Sequence, residues 1–267
     1  MAREPARGVI APRGVDIAWR EDGNGPLLLM LHGVGSSMES FDAMAAHLLP
    51  HLRLLRYDLR GHGASGKPAG PYALADYVAD AVDLLDARGI PRAHALGFSF
   101  GGMIAQALAA AHPDRVQHLV LISSVAGRTG EEQARMRERA DTLERTGASG
   151  TIEAAVERWF TPGFRAQHPQ IIEARKRRAL ANDPQGYAAA YRVFATSDMD
   201  EELAAIAAPT LVMTGEHDVG STPRMARLIH ERVAASRLEI LAGLRHNVIE
   251  ESPRLVAGLA QKFLCGR

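Results

Sequence analysis

The residues with the clearest chemical meaning lie at 97–101, where two glycines flank a serine in the order Gly-x-Ser-x-Gly. A short apolar run leads into this pentapeptide, and a helical pattern of apolar residues begins directly after it. A turn that joins a strand to a helix at this point is expected to be so tight that a side chain at Gly97 or Gly101 would collide with a neighbouring element. The same turn would hold Ser99 in a strained conformation with its hydroxyl exposed. The pattern therefore predicts a serine nucleophile.

A serine hydroxyl is a poor nucleophile at neutral pH, so it needs a base and a group that orients the base. Two loops near the end of the chain each follow a predicted strand and offer these groups, Asp218 in the first and His246 in the second. Of the eleven histidines, only His246 follows the last predicted strand and precedes the last predicted helix. We therefore predict that His246 is the base and that Asp218 orients it.

Attack on a carbonyl group also requires two backbone N–H groups that stabilise the charge developing on its oxygen. One is predicted to be the amide of Phe100, which follows the nucleophile at the positive end of its helix. The other is predicted to be the amide of Val34, in a glycine-rich loop after the strand Leu27–Leu31. His32 and Gly33 precede Val34 in this loop, and both are candidate substrate contacts.

Alternating strands and helices must position these groups. A continuous apolar run typical of a strand buried on both faces occurs at residues 27–31. Further strands are predicted at residues 52–57, 116–122, 210–214 and 238–241, and directly before the Ser99 turn. Residues 8–20 indicate an opening hairpin. Repeated strand–loop–helix units predict an α/β fold with a mostly parallel, twisted sheet and helices on both faces. The candidate residues follow the strands, so they are expected to meet at one edge of the sheet.

The alternation stops between residues 127 and 208, where the sequence is helical throughout and has charged faces. We predict a helical cap here, inserted after the sixth strand and lying over the strand ends. The sheet and its helices are then formed by residues 1–126 and 209–267.

These residues together resemble the α/β-hydrolase superfamily over nearly the whole chain. The motifs are, in order, His32-Gly33, Asp58-Leu-Arg-Gly61-His62-Gly63-Ala-Ser65, the Ser99 turn, Gly215-Glu-His-Asp218 and His246. The resemblance implies an α/β-hydrolase fold with a catalytic triad in the superfamily's chain order, serine, aspartate and histidine. It also implies that His62 belongs to a structural turn.

Three alternatives within the triad stay open. His217 stands next to the predicted acid, one strand before the predicted base. Glu216 is a second candidate for the acid. Some members of the superfamily carry the acid after the strand Val116–Ile122, where this chain has serines at 123 and 124 and no carboxylate.

The cap residues 157–164 and 197–200 are similar to those of 3-oxoadipate enol-lactonases. Residues 219–225 depart from that pattern and are similar to hydrolases of the acylaminomethylene-succinate type. The resemblance implies cleavage of a small carboxylic ester or lactone through an acyl-enzyme, without a metal or another cofactor. Position 99 is serine and not aspartate, so dehalogenation and epoxide opening are disfavoured. An amide or carbon–carbon bond hydrolase of a ring-cleavage product stays open, as does a non-catalytic ligand-binding module.

Candidate substrate contacts lie in the predicted cap. Trp159 and Phe160 could line the pocket or pack within the cap. Arg128, Arg158 and Arg192 could bind a substrate carboxylate in bidentate fashion or lie on a solvated helix face. The basic run at residues 175–178 is expected to be exposed to solvent.

Composition limits the partners. The 267 residues include 31 basic and 31 acidic ones, so neither a nucleic-acid partner nor an anionic membrane is expected. The sole cysteine, Cys265, cannot form an internal disulfide, and the first residues lack a secretory signal, so we expect a cytoplasmic location. We expect a small-molecule substrate that could carry a carboxylate, and a monomer or homodimer.

Overall fold

One sheet of eight strands forms the centre of the computed structural model, which describes residues 5–11 and 13–266. The strands are β1 (Ala6–Ile10), β2 (Ile17–Asp22), β3 (Leu27–Leu31), β4 (Arg53–Tyr57), β5 (Ala93–Phe98), β6 (Val116–Ile122), β7 (Thr210–Gly215) and β8 (Ser236–Leu241). Their order across the sheet is β1-β2-β4-β3-β5-β6-β7-β8. Strand β2 runs antiparallel to β1 and β4, and all other neighbours are parallel. The predicted mostly parallel sheet with an opening hairpin is confirmed.

The apolar runs form strands that are buried on both faces, because successive side chains of a strand point to opposite sides. In β3, Leu29 and Leu31 pack into one hydrophobic cluster, whereas Leu28 and Met30 pack into the other. All four side chains are fully buried. A strand of this kind needs helices on both faces of its sheet.

Six helices provide this cover. Helices α2 (Leu74–Ala87), α3 (Phe100–Ala111) and α9 (Pro223–Arg232) pack on the first face, and α1 (Asp42–Leu48), α10 (Val248–Glu251) and α11 (Pro253–Cys265) pack on the second. The prediction of a single final helix from residue 248 is wrong, because Ser252 leaves the helical conformation and separates α10 from α11. Pro253 has no N–H to donate and disfavours a helical conformation at the residue before it. Within the described residues, no helix is both long and apolar enough to cross a bilayer.

Five helices lie between β6 and β7, and residues 127–208, all of them described, contain no strand. They are α4 (Gly130–Thr146), α5 (Ile152–Trp159), α6 (Pro162–Gln167), α7 (Pro169–Leu180) and α8 (Pro184–Thr196). Helices α4 and α8 contact each other and contribute buried residues to the hydrophobic cluster of the first face, whereas α5 to α7 enclose a small hydrophobic cluster of their own. The short helix α6 was not predicted. The division into a core of residues 1–126 and 209–267 and a cap domain of residues 127–208 stays a prediction.

Candidate active site

Ser99 lies at the tight turn between β5 and α3. Its φ of 55° and ψ of −114° are rare for a residue with a side chain. A Cβ atom at Gly97 would overlap the carbonyl of Gly101, and one at Gly101 would overlap the carbonyl of Leu31 in β3. The predicted need for two glycines is confirmed, and it arises from close contact between backbones.

The three predicted triad side chains meet just beyond β5, β7 and β8. Nδ1 of His246 lies 2.7 Å from Oδ2 of Asp218, and its Nε2 lies 3.1 Å from Oγ of Ser99. Asp218 and Ser99 are both buried. With its hydrogen on Nδ1, His246 donates to Asp218 and leaves Nε2 to accept the Ser99 hydroxyl.

Backbone groups hold the Asp218 carboxylate in place. Its Oδ1 accepts hydrogen bonds from two amides of the following turn, at 2.8 and 2.9 Å, so that Oδ2 faces His246. The alternative acid Glu216 is exposed and accepts from a backbone amide of the β8–α10 loop. The alternative base His217 is also exposed. Neither alternative takes part in the hydrogen bonds that reach Ser99.

The loop that carries His246 is held from two sides. The hydroxyl of Ser123, directly after β6, donates to the carbonyl of His246 at 2.8 Å. The amide of Asn247 donates to the carbonyl of Trp159 at 2.9 Å, which links the loop to the end of α5. The position after β6 therefore contributes a hydroxyl that anchors the loop, a role that sequence reasoning missed.

The Val34 and Phe100 amides donate no hydrogen bond to any group among the described residues. Phe100 is the first residue of α3, where an N–H has no acceptor within the helix and lies at the positive end of its dipole. The loop that contains Val34 lies against the serine, since a Cβ atom at Gly33 would be 3.3 Å from Cβ of Ser99. Two unpaired N–H groups are thus available beside Ser99, one in the loop after β3 and one at the start of α3.

Two fully buried histidines shape the loops around the site. Nε2 of His32 accepts from the Leu59 amide, so its Nδ1 donates to the Gly33 carbonyl. Nε2 of His62 accepts from the Gly35 amide in the same way. Burial lowers the pKa of His62 to about 4 and that of His32 well below 6.5. His32 does not line the cavity, contrary to prediction, because both of its nitrogens are bonded to the backbone.

We expect the free energy of unfolding to fall between about pH 6.5 and about pH 4, because burial lowers the pKa of His62 to about 4. In this range the unfolded chain binds a proton at this residue and the folded chain does not, so acid favours unfolding. One such histidine contributes a slope of about 1.4 kcal/mol per pH unit, or about 3 kcal/mol in all. Urea titrations across this range should show a shallower slope for His62→Gln than for the wild type.

The matched control is His47→Gln, which changes an exposed histidine of α1. An unchanged slope in His62→Gln would contradict the expectation, even if the variant is less stable at neutral pH.

A cavity of about 370 Å³ lies between the cap helices and the triad. Trp159 lines it, together with three aromatic side chains of α8, Tyr187, Tyr191 and Phe194. Phe160 is fully buried in the cluster of α5 to α7 and does not reach the cavity. Of the two alternatives predicted for this pair, Trp159 lines the cavity and Phe160 packs within the cap, because the end of α5 turns them in different directions. Contact between Trp159 and a substrate stays a prediction.

Two predicted carboxylate ligands lie away from the cavity. Arg128 is buried and donates to two backbone carbonyls at the end of α8. Arg192 forms ion pairs with two acidic residues of α4. These predictions are wrong because neither guanidinium group lines the cavity beside the triad.

Three other arginines line the cavity, Arg139 of α4, Arg158 of α5 and Arg175 of α7. None of them has a carboxylate within 4.0 Å among the described residues. Arg175 is only 5% exposed, so the expectation of a fully exposed basic run is wrong. Arg139 and Arg175 each lie three residues after and four residues before a buried apolar residue. Helical periodicity could have shown that they face inward.

The described part of the chain contains no group of three or more His, Cys, Asp or Glu side chains arranged to hold a metal ion.

Comparison with known proteins shows which family the chain resembles. Residues 26–253 match a family model described as alpha/beta hydrolase fold. The chain is 31% identical over 226 residues to 3-oxoadipate enol-lactonase 2 of Acinetobacter baylyi, covering 85% of this chain and 84% of that protein. It is 27% identical to (E)-2-((N-methylformamido)methylene)succinate hydrolase of the same organism, covering 91% of this chain and 92% of that protein.

A solved structure is similar along the same length. The enol-lactonase from Burkholderia xenovorans LB400 superposes with a TM-score of 0.90 at 29% identity, covering 97% of this chain and all of that one. The resemblance to both kinds of hydrolase, stated from the sequence motifs, is confirmed.

Proposed function

The chain belongs to the α/β-hydrolase family, and from this premise we propose that it is a serine hydrolase of a small carboxylic ester or lactone. The observation that carries the proposal is the pair of hydrogen bonds linking Ser99, His246 and Asp218 beside the cavity. The similarity to enol-lactonases supports the type of bond.

In the proposed reaction, Oγ of Ser99 attacks the substrate carbonyl carbon while Nε2 of His246 takes the hydroxyl proton. Asp218 accepts the Nδ1 hydrogen, keeps the imidazole in this tautomer and stabilises the imidazolium that forms. A positioned base of this kind typically accelerates a reaction by about 10²- to 10⁴-fold. The strained backbone at Ser99 supports the assignment because it directs the hydroxyl towards the base.

The negative charge on the carbonyl oxygen is then stabilised by the N–H groups of Val34 and Phe100. Neither group has another acceptor within the described residues, so no bond must be broken before the oxyanion binds. A donor that is already oriented is typically worth about 10²- to 10³-fold in kcat.

Collapse of the tetrahedral intermediate breaks the carbon–oxygen bond, and His246 gives its proton to the leaving oxygen. A water molecule then attacks the acyl group on Ser99 while His246 again acts as the base. The second collapse releases the acid and restores the Ser99 hydroxyl.

Charge in the cavity favours an acidic substrate. Arg139 and Arg158 are half-buried there without carboxylate partners. Burial, and then the positive charge of Arg139, lower the pKa of Arg158. Two neighbouring cations with little solvent are costly unless an anion binds between them. We therefore include in the proposal a carboxylate on the substrate, apart from the bond that is cleaved.

The test is a panel of esters and lactones in pairs of equal size, one member with a free carboxylate and the other with its carboxamide. We expect kcat/KM to be about 10- to 100-fold higher for the acid, since hydrogen bonds to charged groups are worth about 1.5–3 kcal/mol. Arg158→Met should remove this preference and leave the neutral substrates unchanged.

Arg192→Met is the matched control, because this arginine lies outside the cavity. Equal rates for acids and carboxamides would contradict the carboxylate. Failure to hydrolyse any ester or lactone would contradict the proposed function.

A second candidate keeps the triad but cleaves an amide or a carbon–carbon bond of a ring-cleavage product. It is favoured by the similarity to (E)-2-((N-methylformamido)methylene)succinate hydrolase. Adding acylaminomethylene-succinates to the panel separates the two, since the second candidate requires them to have the highest kcat/KM. A non-catalytic binding module would turn over none of these compounds.

A further inference from the structure

Arg175 of α7 is a buried cation without a role in the reaction described above. Its guanidinium carbon lies 4.0 Å from the centroid of the Trp159 ring, in a stacking arrangement. Burial lowers the pKa of Arg175, and no carboxylate within 4.0 Å among the described residues compensates its charge. Keeping this charge out of water is costly, so the contacts that it makes need an explanation.

The hydrogen bond from Arg175 reaches the oxyanion loop, which we define as residues 33–36. Its Nη1 donates to the carbonyl of Gly35 at 3.0 Å. Gly35 has a φ of 67° and follows Val34, and a Cβ atom here would overlap the ring of Tyr187 from α8. The Gly35 amide donates to Nε2 of His62 at 2.9 Å. The peptide group before Gly35 is therefore held by the buried His62, and the peptide group after it is held by Arg175 of the cap.

Arg175 is also joined to the segment that holds the base. It stacks on Trp159, and the carbonyl of Trp159 accepts the amide of Asn247, the residue after His246. One cap side chain thus contacts the oxyanion loop directly and, through Trp159, the His246 loop.

A glycine beside an oxyanion donor needs such restraint. Gly35 can rotate about φ and ψ more freely than any other residue. A rotation there would change the path of the oxyanion loop and so shift the Val34 N–H, which lies two peptide groups before the Gly35 carbonyl. A displacement of about 1 Å at a reacting group can cost about 10²-fold in rate. The hydrogen bond from Arg175 opposes that rotation.

We propose that Arg175 is a positioning residue that holds the Val34 amide in the orientation required by the oxyanion, so that the cap completes the active site. This inference rests on the proposed serine hydrolase function. It concerns the substrate's carbonyl oxygen and requires no contact between Arg175 and the substrate.

The first test compares Arg175→Met with Arg177→Met, which changes an exposed arginine of the same helix. We expect kcat of Arg175→Met to fall by about 10- to 100-fold with KM little changed, and Arg177→Met to behave as the wild type. A trifluoromethyl ketone analogue of the best substrate forms an oxyanion on Ser99 when it binds. Its Ki should rise in Arg175→Met by the same factor by which kcat/KM falls.

Chemical rescue provides the second test. Guanidinium ion, below the concentration that unfolds the protein, should restore part of kcat in Arg175→Ala and have no effect on Arg177→Ala. Arg175→Lys keeps the positive charge and an N–H donor, so its kcat should lie between those of the wild type and Arg175→Met. Circular dichroism establishes whether each variant is folded. If Arg175→Met and Arg175→Ala unfold the chain, Arg175→Lys becomes the variant in which kcat and Ki are compared with the wild type.

Three results would overturn the inference while leaving the proposed function intact. These are an unchanged kcat in Arg175→Met, a fall in kcat without a matching rise in Ki, and a rise in KM confined to substrates with a carboxylate. The last would make Arg175 a substrate ligand. Absence of hydrolysis by the wild type would contradict the proposed function itself.

Discussion

Turnover of the best substrate is expected to disappear in the Ser99→Ala variant, with kcat lower by about 10⁴- to 10⁶-fold. The reason is chemical, since Ser99 is the only hydrogen-bond partner of His246 Nε2 among the residues that the structure describes. Alanine also lacks the oxygen that a fluorophosphonate probe modifies. Intact-mass spectrometry should therefore show one probe adduct on the wild type and none on the variant, while steady-state kinetics measures the loss of kcat.

Ser149→Ala is the control for this experiment, because Ser149 is an exposed cap serine that does not line the cavity. It should label and turn over as the wild type does. Retained turnover in Ser99→Ala, or an adduct mapped by peptide mass to another residue, would contradict the assigned nucleophile. Similar circular dichroism spectra would establish that the loss is chemical and not a failure to fold.

The Asp218→Asn variant should lose about 10⁴-fold in kcat while still folding. An asparagine is nearly the same size, but it has no charge to stabilise the imidazolium. Its amide nitrogen can also donate to Nδ1 of His246, which places the imidazole hydrogen on Nε2 and prevents this atom from accepting the Ser99 proton. Asp218 is buried and its Oδ1 is bonded by two backbone amides. Solvent therefore has little access to this position and cannot stabilise the imidazolium in place of the carboxylate. Steady-state kcat and the rate of fluorophosphonate labelling should fall together.

Glu216→Gln is the matched comparison, since it makes the same chemical change two residues earlier in an exposed side chain. We expect its kcat to stay close to that of the wild type. Loss of activity in Glu216→Gln, with Asp218→Asn active, would transfer the role of the acid to the alternative considered from the sequence.

The bounds of the central strands β3, β4, β6 and β7 were predictable to within one residue, because these strands are largely buried. Strand β3 is a continuous apolar run and begins and ends where the run does. Strand β6 also has the predicted bounds, although Gln117 and His118 interrupt its apolar residues. Strand β8 lies at the edge of the sheet, and its residues alternate between half-buried and exposed. Its first two residues, Ser236 and Arg237, are polar, so the predicted strand began too late.

The candidate site was predictable to a similar extent. Ser99, Asp218 and His246 each follow a strand, and a parallel sheet brings the ends of its strands to one edge. The direction of cap side chains was harder to predict, because an arginine in a helix of mixed composition has no strong pattern of its own. Arg175 was expected in solvent, yet it lies against Gly35, which is 140 residues earlier in the chain.

By itself, the sequence determined the kind and order of the reactive groups and the sheet that carries them. The physical reason is that tight turns and buried strands impose strict local requirements, such as glycine at 97 and 101 and unbroken apolar runs. Only the tertiary structure decided that Asp218 and not Glu216 faces the base, and that Arg158 and Arg175 and not Arg128 or Arg192 face the cavity. The first choice depends on the turn after β7, whose amides fix the Asp218 carboxylate towards the His246 loop. The second depends on how the cap helices pack over the strand ends, and distances across that contact are not encoded in any local stretch of the chain.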